Sequence, residues 1–599
     1  METRISKSAQ YFNEHQRTIC TKTQLQKWFT ENITGTFISS EDSDFMVETE
    51  EPAMKKIKSA VALVLGVTLL AAGCSGSGKG SGGGTESSSS GTTAAELDTS
   101  QEKSVHTEVQ DATKDDFVFT IISEPANIGQ EVTNNNGRLC TIQVYDSLIK
   151  ENGGDRTDLL PNLATEWEFS EDGKTLTFTI KDGVKFHNGD TMTAEDVAFS
   201  LDHARKLSTN ASTGNIIEDV QVVDDSHVAL TLAYPYKPIL NIIAQPQYCI
   251  YNKAYTEKCE SEGTVMDRCP MGTGPYKFVN WVSGEEINFE RFDDYHDQDH
   301  VAKMKNLKVK IMTDATTAAL AIENGECDAF LGVNTADMPR LDANEDTIIY
   351  RTTSTGYHLL TLNTRKAPFD NQKVRQAIAK AINVEEVFVG GHDGIGWITT
   401  QPITYGIFGY DKNFEAMPYD LEGAKQLLAE AGYPDGFKCT LKVKQDSYYS
   451  TPAQICVEQL RKLGLDIDIK IQETGTYDTE VDTNFDYDIA YEMTVAQYPD
   501  ADATVFMRLH SSCINSPKGN VAGAVNEDLD KLIEEARYEL DDEKRLELYR
   551  EISEINKEES YYIPLVTSTN SVVVRKEVQG AYAHGGGQYR ISDWSYVAE

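Results

Sequence analysis

The sequence predicts a protein of mixed α/β layers, because strand-like runs and amphipathic helix-like stretches alternate along it. Period-two alternation of apolar and polar residues predicts the strands, and apolar residues spaced three to four positions apart predict the helices. The chain has 599 residues. This is more than one hydrophobic core organises, so we expect about two to four domains.

The strands are predicted from short runs rich in apolar residues. Alternation is clearest at residues 176–180, Leu-Thr-Phe-Thr-Ile, which is typical of a strand with one buried face. The other predicted strands cover residues 117–122, 307–312, 359–362, 439–443 and 467–471.

The helices are predicted from capping residues that precede apolar stripes. Thr193 begins one helix, and Asp196 follows it at the spacing of a capping box. Asp370 and Asp420 are each predicted to cap a further helix. Residues 528–556 predict one long amphipathic helix or a pair of helices.

The segment that ends at Cys74 has the features of an export signal. Lysines at 55, 56 and 58 begin it, an apolar run of about 14 residues follows, and small residues lead into Cys74. A membrane-spanning helix needs about 20 residues, so we expect a secretory signal and not a permanent span. The order Leu70-Ala71-Ala72-Gly73-Cys74 resembles the lipobox of bacterial lipoproteins. This resemblance implies that Cys74 becomes the lipidated first residue of the mature protein.

The residues around this signal are predicted to have no packed core. We interpret residues 1–53 as an extension of the gene model, because export signals begin at the N-terminus and Met54 opens the basic segment. Residues 54–73 would be the signal peptide. Residues 74–114 are rich in Gly, Ser and other polar residues and predict a flexible linker. The folded part is expected from residue 115 onward.

Charge and motif content exclude several functions. Asp and Glu number 95 against 55 Lys and Arg, and the formal net charge of -40 argues against nucleic acid as a partner. The sequence has no CxxC, HExxH or GxSxG, so we predict no metal site, no cofactor and no catalytic residue. His296 and His300 are expected in a solvated loop. Whether Cys259 and Cys269 form a disulfide stays open.

Several short motifs in one order resemble the bacterial extracellular solute-binding proteins, family 5, which include the peptide and nickel receptors of ABC importers. The first are WEFSEDGK at 167–174, GVKFHNGD at 183–190 and TAEDV at 193–197. The later ones are GTGPY at 272–276, NGECD at 324–328, LNT at 362–364, PFD at 368–370, VRQAI at 374–378 and IPL at 563–565. The resemblance extends over nearly all of residues 115–599.

This resemblance implies a two-lobed fold like that of the class II periplasmic binding proteins. Lobe one would hold residues 115–358, with an extra subdomain inserted at about 160–268. Lobe two would hold residues 359–567, and residues 568–599 would return to lobe one. Chain crossings at 354–357 and 567–570 would act as hinges.

The implied function is capture of a small solute, most simply a dipeptide or oligopeptide, by closure of the two lobes. We expect a monomer on the outer face of the cell membrane that delivers its solute to two permeases driven by two ATPases. The alternatives are a receptor for nickel, a metallophore or another non-peptide solute, an exported hydrolase, and a signalling receptor that feeds no transporter.

The resemblance also suggests where the solute would bind. Peptide-binding relatives carry a carboxylate for the ligand amine just before the turn at 498–501, and this chain has Gln497 there. A small shift of register would offer Glu492, Asp500 or Asp502 instead. The glutamine could also reflect a different solute, such as a sugar, a blocked peptide or a metal chelate, or it could merely satisfy backbone groups of the loop. The predicted ligand-binding residues are Asn127, Trp397, Tyr405, Tyr491, Gln497, Tyr498 and Asp500, with packing as the alternative for each aromatic residue.

Overall fold

The computed structural model describes residues 109–264 and 268–598. Residues 1–53, the predicted signal peptide, Cys74 and most of the predicted linker lie outside the described residues. None of the described helices has the length and apolar character needed to cross a membrane.

Strands and helices alternate as predicted. The strands are β1 Asp116–Ile121, β2 Ile149–Asn152, β3 Asp155–Pro161, β4 Ala164–Phe169, β5 Thr175–Ile180, β6 Ile217–Asp224, β7 His227–Leu232, β8 Tyr276–Val282, β9 Glu286–Arg291, β10 Asn306–Ile311, β11 Ala329–Leu331, β12 Thr347–Leu362, β13 Trp397–Ile398, β14 Lys438–Lys444, β15 Asp466–Gln472, β16 Ile489–Val495, β17 Tyr562–Arg575, β18 Val578–Gln579 and β19 Ser595–Tyr596. The helices are α1 Asn135–Val144, α2 Ala194–Lys206, α3 Ala211–Gly214, α4 Ile239–Ile243, α5 Lys253–Ser261, α6 Ala315–Glu323, α7 Met338–Asp342, α8 Gln372–Ala381, α9 Val384–Gly391, α10 Leu421–Glu430, α11 Ser447–Leu463, α12 Thr474–Asp478, α13 Asp502–Leu509, α14 Glu527–Tyr538 and α15 Asp542–Glu559.

One large mixed sheet runs through the described residues. Its strand order is β15-β14-β16-β12-β17-β11-β1-β10-β9-β8, with β13 paired to β17. At one end β1 is parallel to both β10 and β11, and at the other end β14 is parallel to both β15 and β16. The long strands β12 and β17 join the two ends.

These two strands contribute to both ends because each is long enough to pair twice. Residues 347–353 of β12 pair with 569–575 of β17, next to β11. Residues 356–362 of β12 pair with β16 on their other side. The register of the β12–β17 pair shifts between Thr353 and Tyr357. The predicted hinge segments 354–357 and 567–570 lie side by side at this shift.

A separate four-stranded sheet, in the order β4-β5-β7-β6, lies within the region predicted as an inserted subdomain. Helix α2 packs beside it, and its apolar residues share a core with Leu176 and Phe178. The predicted capping box is confirmed: the Asp196 backbone N–H donates to Thr193 Oγ1 at 3.2 Å, and the Thr193 backbone N–H donates to Asp196 Oδ2 at 2.9 Å.

The C-terminal residues complete the core around β1. Trp594 is fully buried, and its ring packs edge-on against Phe117 with centroids 6.2 Å apart. Phe119 and Tyr589 lie in the same cluster. The last residues of the chain are therefore packed against its first described strand.

Five predicted strands are confirmed to within one residue at each end, and Asp420 caps α10 as expected. The run 359–362 is only the last part of β12, which begins at Thr347, and the helix pair extends three residues beyond 556. Two details were wrong. Asn371 caps α8 in place of Asp370, since its side chain accepts a hydrogen bond from the Lys373 backbone at 3.0 Å. His296 is buried and not solvated, because its Nε2 lies 3.1 Å from the buried carboxylate of Asp146, which needs a polar partner.

The packing of Trp594 generates a stability prediction. Trp594→Ala should lower the free energy of unfolding by about 3–5 kcal/mol, because it leaves a cavity between the C-terminal residues and β1. Urea unfolding followed by circular dichroism measures this. Tyr419→Ala is the control, since Tyr419 is 49% exposed. Equal unfolding curves for the two variants would contradict the packing role of Trp594.

Candidate ligand-binding site

A polar cavity of about 300 Å³ lies where several separate segments of the chain meet. Residues of predicted lobe one form most of its wall, Thr355 of the strand crossing contributes, and residues 495–498 come from predicted lobe two. Its lining residues are Val132, Thr133, Asn135, Arg138, Thr209, Asn210, Thr213, Ile242, Gln245, Gln247, Tyr248, Thr355, Val495, Ala496, Gln497 and Tyr498.

A second cavity of about 390 Å³ adjoins the first and shares Asn135 with it. Its wall includes the end of β1, the first residues of α1, the end of β11 and residues 569–571 of β17. The two cavities therefore meet at the N-terminus of α1.

The predicted residues Gln497 and Tyr498 both line the first cavity. The Tyr498 hydroxyl is fixed from behind, because it donates to Asp502 Oδ2 at 3.0 Å and lies 2.7 Å from the Tyr236 hydroxyl. Burial raises the pKa of Tyr498 well above its usual value, so this phenol stays protonated. The Tyr498 ring therefore lines the cavity, while its hydroxyl is hydrogen-bonded within the protein.

The three carboxylates near Gln497 are all engaged with buried arginines. Arg545 donates to both oxygens of Asp500, at 2.8 and 2.9 Å. Arg508 Nη1 donates to Glu492 Oε2 at 3.0 Å. Arg537 Nη1 lies 3.8 Å from Asp502 Oδ1. Each carboxylate is compensated within the protein, and none lines either cavity.

The remaining predicted residues do not line these two cavities. Trp397 and Tyr405 stack on each other with ring centroids 5.9 Å apart. Tyr491 is fully buried, and its hydroxyl lies 3.4 Å from His392 Nε2. Asn127 donates to the Glu131 carbonyl at 2.9 Å, which is a hydrogen bond within its own loop.

The sequence analysis missed Arg138, which lies one turn into α1. It is the only lining residue of the first cavity with a formal charge. Burial, followed by the nearby Arg156, lowers the pKa of Arg138 to about 10, so the guanidinium stays protonated at neutral pH. No motif marks this arginine, because its place in the wall depends on segments more than 350 residues apart.

A buried polar cluster supports the wall behind Arg138. Gln245, a lining residue, donates to Glu151 Oε1 at 2.9 Å. His584 Nε2 lies 2.7 Å from Glu151 Oε2, and Arg156 Nε lies 3.8 Å from the same oxygen. Although burial opposes it, His584 and then Arg156 lower the pKa of Glu151, so this carboxylate stays ionised.

The wall carries groups that can bind a solute reversibly. The first cavity is lined by hydroxyl, amide, apolar and aromatic groups and one guanidinium, which recognise a solute without bonding to it covalently. Among the described residues, no group of three or more His, Cys, Asp or Glu side chains is placed to hold a metal ion.

The mixed α/β fold, in which β12 and β17 join the two ends of the large sheet beside a cavity, is that expected of a solute-binding protein. Residues 158–516 match the family model of the bacterial extracellular solute-binding proteins, family 5, middle part, and the chain belongs to this family.

Similar proteins of known name agree with this assignment. The chain is 27% identical over 523 residues to heme-binding protein A of Haemophilus influenzae, covering 81% of this chain and 93% of that protein. It is 27% identical over 483 residues to the dipeptide-binding protein of Escherichia coli, covering 76% and 89%.

Solved structures agree on the fold. HbpA2 from Haemophilus parasuis superposes with a TM-score of 0.74 at 26% identity, covering 81% of this chain and 100% of that one. The ABC transporter-associated periplasmic binding protein DppA from Helicobacter pylori, in complex with the peptide STSA, gives 0.67 at 26% identity, covering 81% and 99%.

The Arg545–Asp500 pair generates a prediction. Arg545→Met should destabilise the protein by about 3–5 kcal/mol, because it leaves a buried carboxylate without its cation. Lys531→Met is the control, since Lys531 and its partner Asp528 are 71% and 90% exposed and should matter little. Urea unfolding distinguishes the two. A midpoint for Arg545→Met equal to that of the control would show that the pair is not needed.

Proposed function

We propose that the protein is the solute receptor of an ABC importer and that it captures peptides or similar small solutes by closure of its lobes. One observation carries this proposal: the polar cavity is lined by segments of both predicted lobes and by Thr355 of the crossing between them. A solute that touches both lobes stabilises the closed form by its higher affinity for that form. Capture and release need no catalytic residue.

The names of the relatives support peptides as the solute class. They include dipeptide-, di/tripeptide- and glutathione-binding proteins besides the heme-binding protein. A cavity of about 300 Å³ is in the range of small-ligand sites and fits a short peptide or a molecule of that size. The relatives therefore suggest the size and polarity of the solute, and we propose that Gln497 occupies the position that holds an acid in peptide-binding relatives.

We propose that the protein lies at the outer face of the cell membrane. Cys74 would carry the lipid anchor, and residues 74–114 would let the binding lobes stand away from the bilayer. Two or more acyl chains, at about 0.8 kcal/mol per buried CH₂, hold a protein on a membrane stably. The receptor would act as a monomer and pass its solute to two permeases driven by two ATPases.

Thermal unfolding of the purified protein with a panel of solutes tests this function. The panel contains peptides of two to eight residues, sugars and nickel chelates. A solute present at about 100 times its dissociation constant should add about 2.7 kcal/mol to the unfolding free energy. Stabilisation by nickel chelates alone, or by no member of the panel, would refute peptide capture, and turnover of any member would indicate an enzyme.

Substitution of Gln497 tests whether this side chain faces the ligand amine, as the carboxylate is expected to do in peptide-binding relatives. Gln497→Asp should raise the affinity for peptides with a free amine several-fold relative to their N-acetylated forms, because a carboxylate pairs with the ammonium. Gln497→Asn is the control, since it keeps the amide and adds no charge. Isothermal titration calorimetry measures the affinities of both variants for the free and the acetylated peptides. An unchanged ratio of affinities for free and acetylated peptides would show that this side chain does not face the amine.

A further inference from the structure

We propose that the cavity recognises its solute by a carboxylate, which Arg138 binds at the cavity wall, and that a free amine on the solute is not required. The solute class is then short peptides or peptide-like acids with a free carboxylate. This inference rests on the proposed function, because it names the chemical group by which the receptor selects its solute.

Arg138 has hydrogen-bonding capacity to spare. Its Nη1 donates to the Gly586 carbonyl at 3.3 Å, and its Nε has no hydrogen-bond partner among the described residues. A guanidinium carries five N–H donors in a planar fork that matches the two oxygens of a carboxylate. A carboxylate in the cavity would satisfy donors that the protein leaves unused.

The charged groups behind the wall carry more positive than negative charge. Arg156 is only 6% exposed, and neither its Nε nor its Nη2 makes a hydrogen bond with a described residue. Glu151 is the one acid of this cluster, and His584 and Arg156 share it. Two guanidinium groups against one carboxylate favour an anion in the adjoining space.

The N-terminus of α1 adds to the positive potential in this space. Asn135 of the first turn lines both cavities, and Asn134 caps the helix by accepting from the Gly137 backbone at 2.8 Å. No acidic residue lies in this first turn, so nothing in the helix compensates the positive end of its dipole. Helix termini of this kind bind carboxylates and phosphates.

No acid of the cavity wall is available for an ammonium group. The other fifteen lining residues are uncharged, and the nearest acids along the chain from Gln497 are the arginine-bound Glu492, Asp500 and Asp502. A free amine would therefore enter without a counter-charge, at a cost of desolvation. The cavity favours the carboxylate end of a peptide over its amine end.

Calorimetric titration of the full chain with four forms of trialanine tests this inference. The forms are the free peptide, its N-acetyl derivative, its C-terminal amide, and the N-acetyl amide. We expect both acids to bind about 10- to 100-fold more tightly than the matching amides, with little effect of acetylation. Arg138→Gln should remove the preference for the acid, and Arg138→Lys should restore part of it.

Arg550→Gln is the matched control, because it removes one positive charge from an arginine with a 61% exposed side chain outside both cavities. It should leave the preference unchanged, which separates a local contact from the net charge of the chain. Equal binding of acids and amides by the unmodified protein would overturn this inference and leave peptide capture intact. Equal losses for acid and amide in Arg138→Gln would also overturn it. Binding of none of the four forms would overturn this inference, while peptide capture is decided by the wider panel of peptides.

Discussion

The pairing of β12 with β17 is the constraint on which the rest of the structure depends. Each strand belongs to one end of the large sheet over half its length and to the other end over the remainder. The register shift between Thr353 and Tyr357 falls where both strands cross. Thr355 lies in this crossing and also lines the cavity, so the crossing and the candidate site are in direct contact.

Buried ion pairs determine the electrostatics of that site. The acids near Gln497 are held by Arg508, Arg537 and Arg545, which themselves need partners because desolvating a guanidinium alone is costly. This internal pairing compensates the negative charge of these acids within the protein. Among the described residues that line the first cavity, only Arg138 carries a formal charge.

Membership of the solute-binding family explains the architecture but not the choice of solute. Relatives of similar identity are named for dipeptides, glutathione and heme, so one framework serves solutes of very different chemistry. The framework is built from buried strands and helices. Gln497 and Arg138 are among the side chains that line the candidate site.

The sequence by itself determined the α/β class, the positions of several strands and helices and the Thr193 capping box, since these depend on local periodicity and on hydrogen bonds within a few residues. Its order of motifs also indicated the family and the position of Gln497. Only the tertiary structure placed Arg138, Thr355 and Gln497 around one cavity, and only it showed that Asp500 is paired with Arg545. Such contacts join residues far apart in the chain, and neither composition nor spacing encodes which buried charge meets which partner.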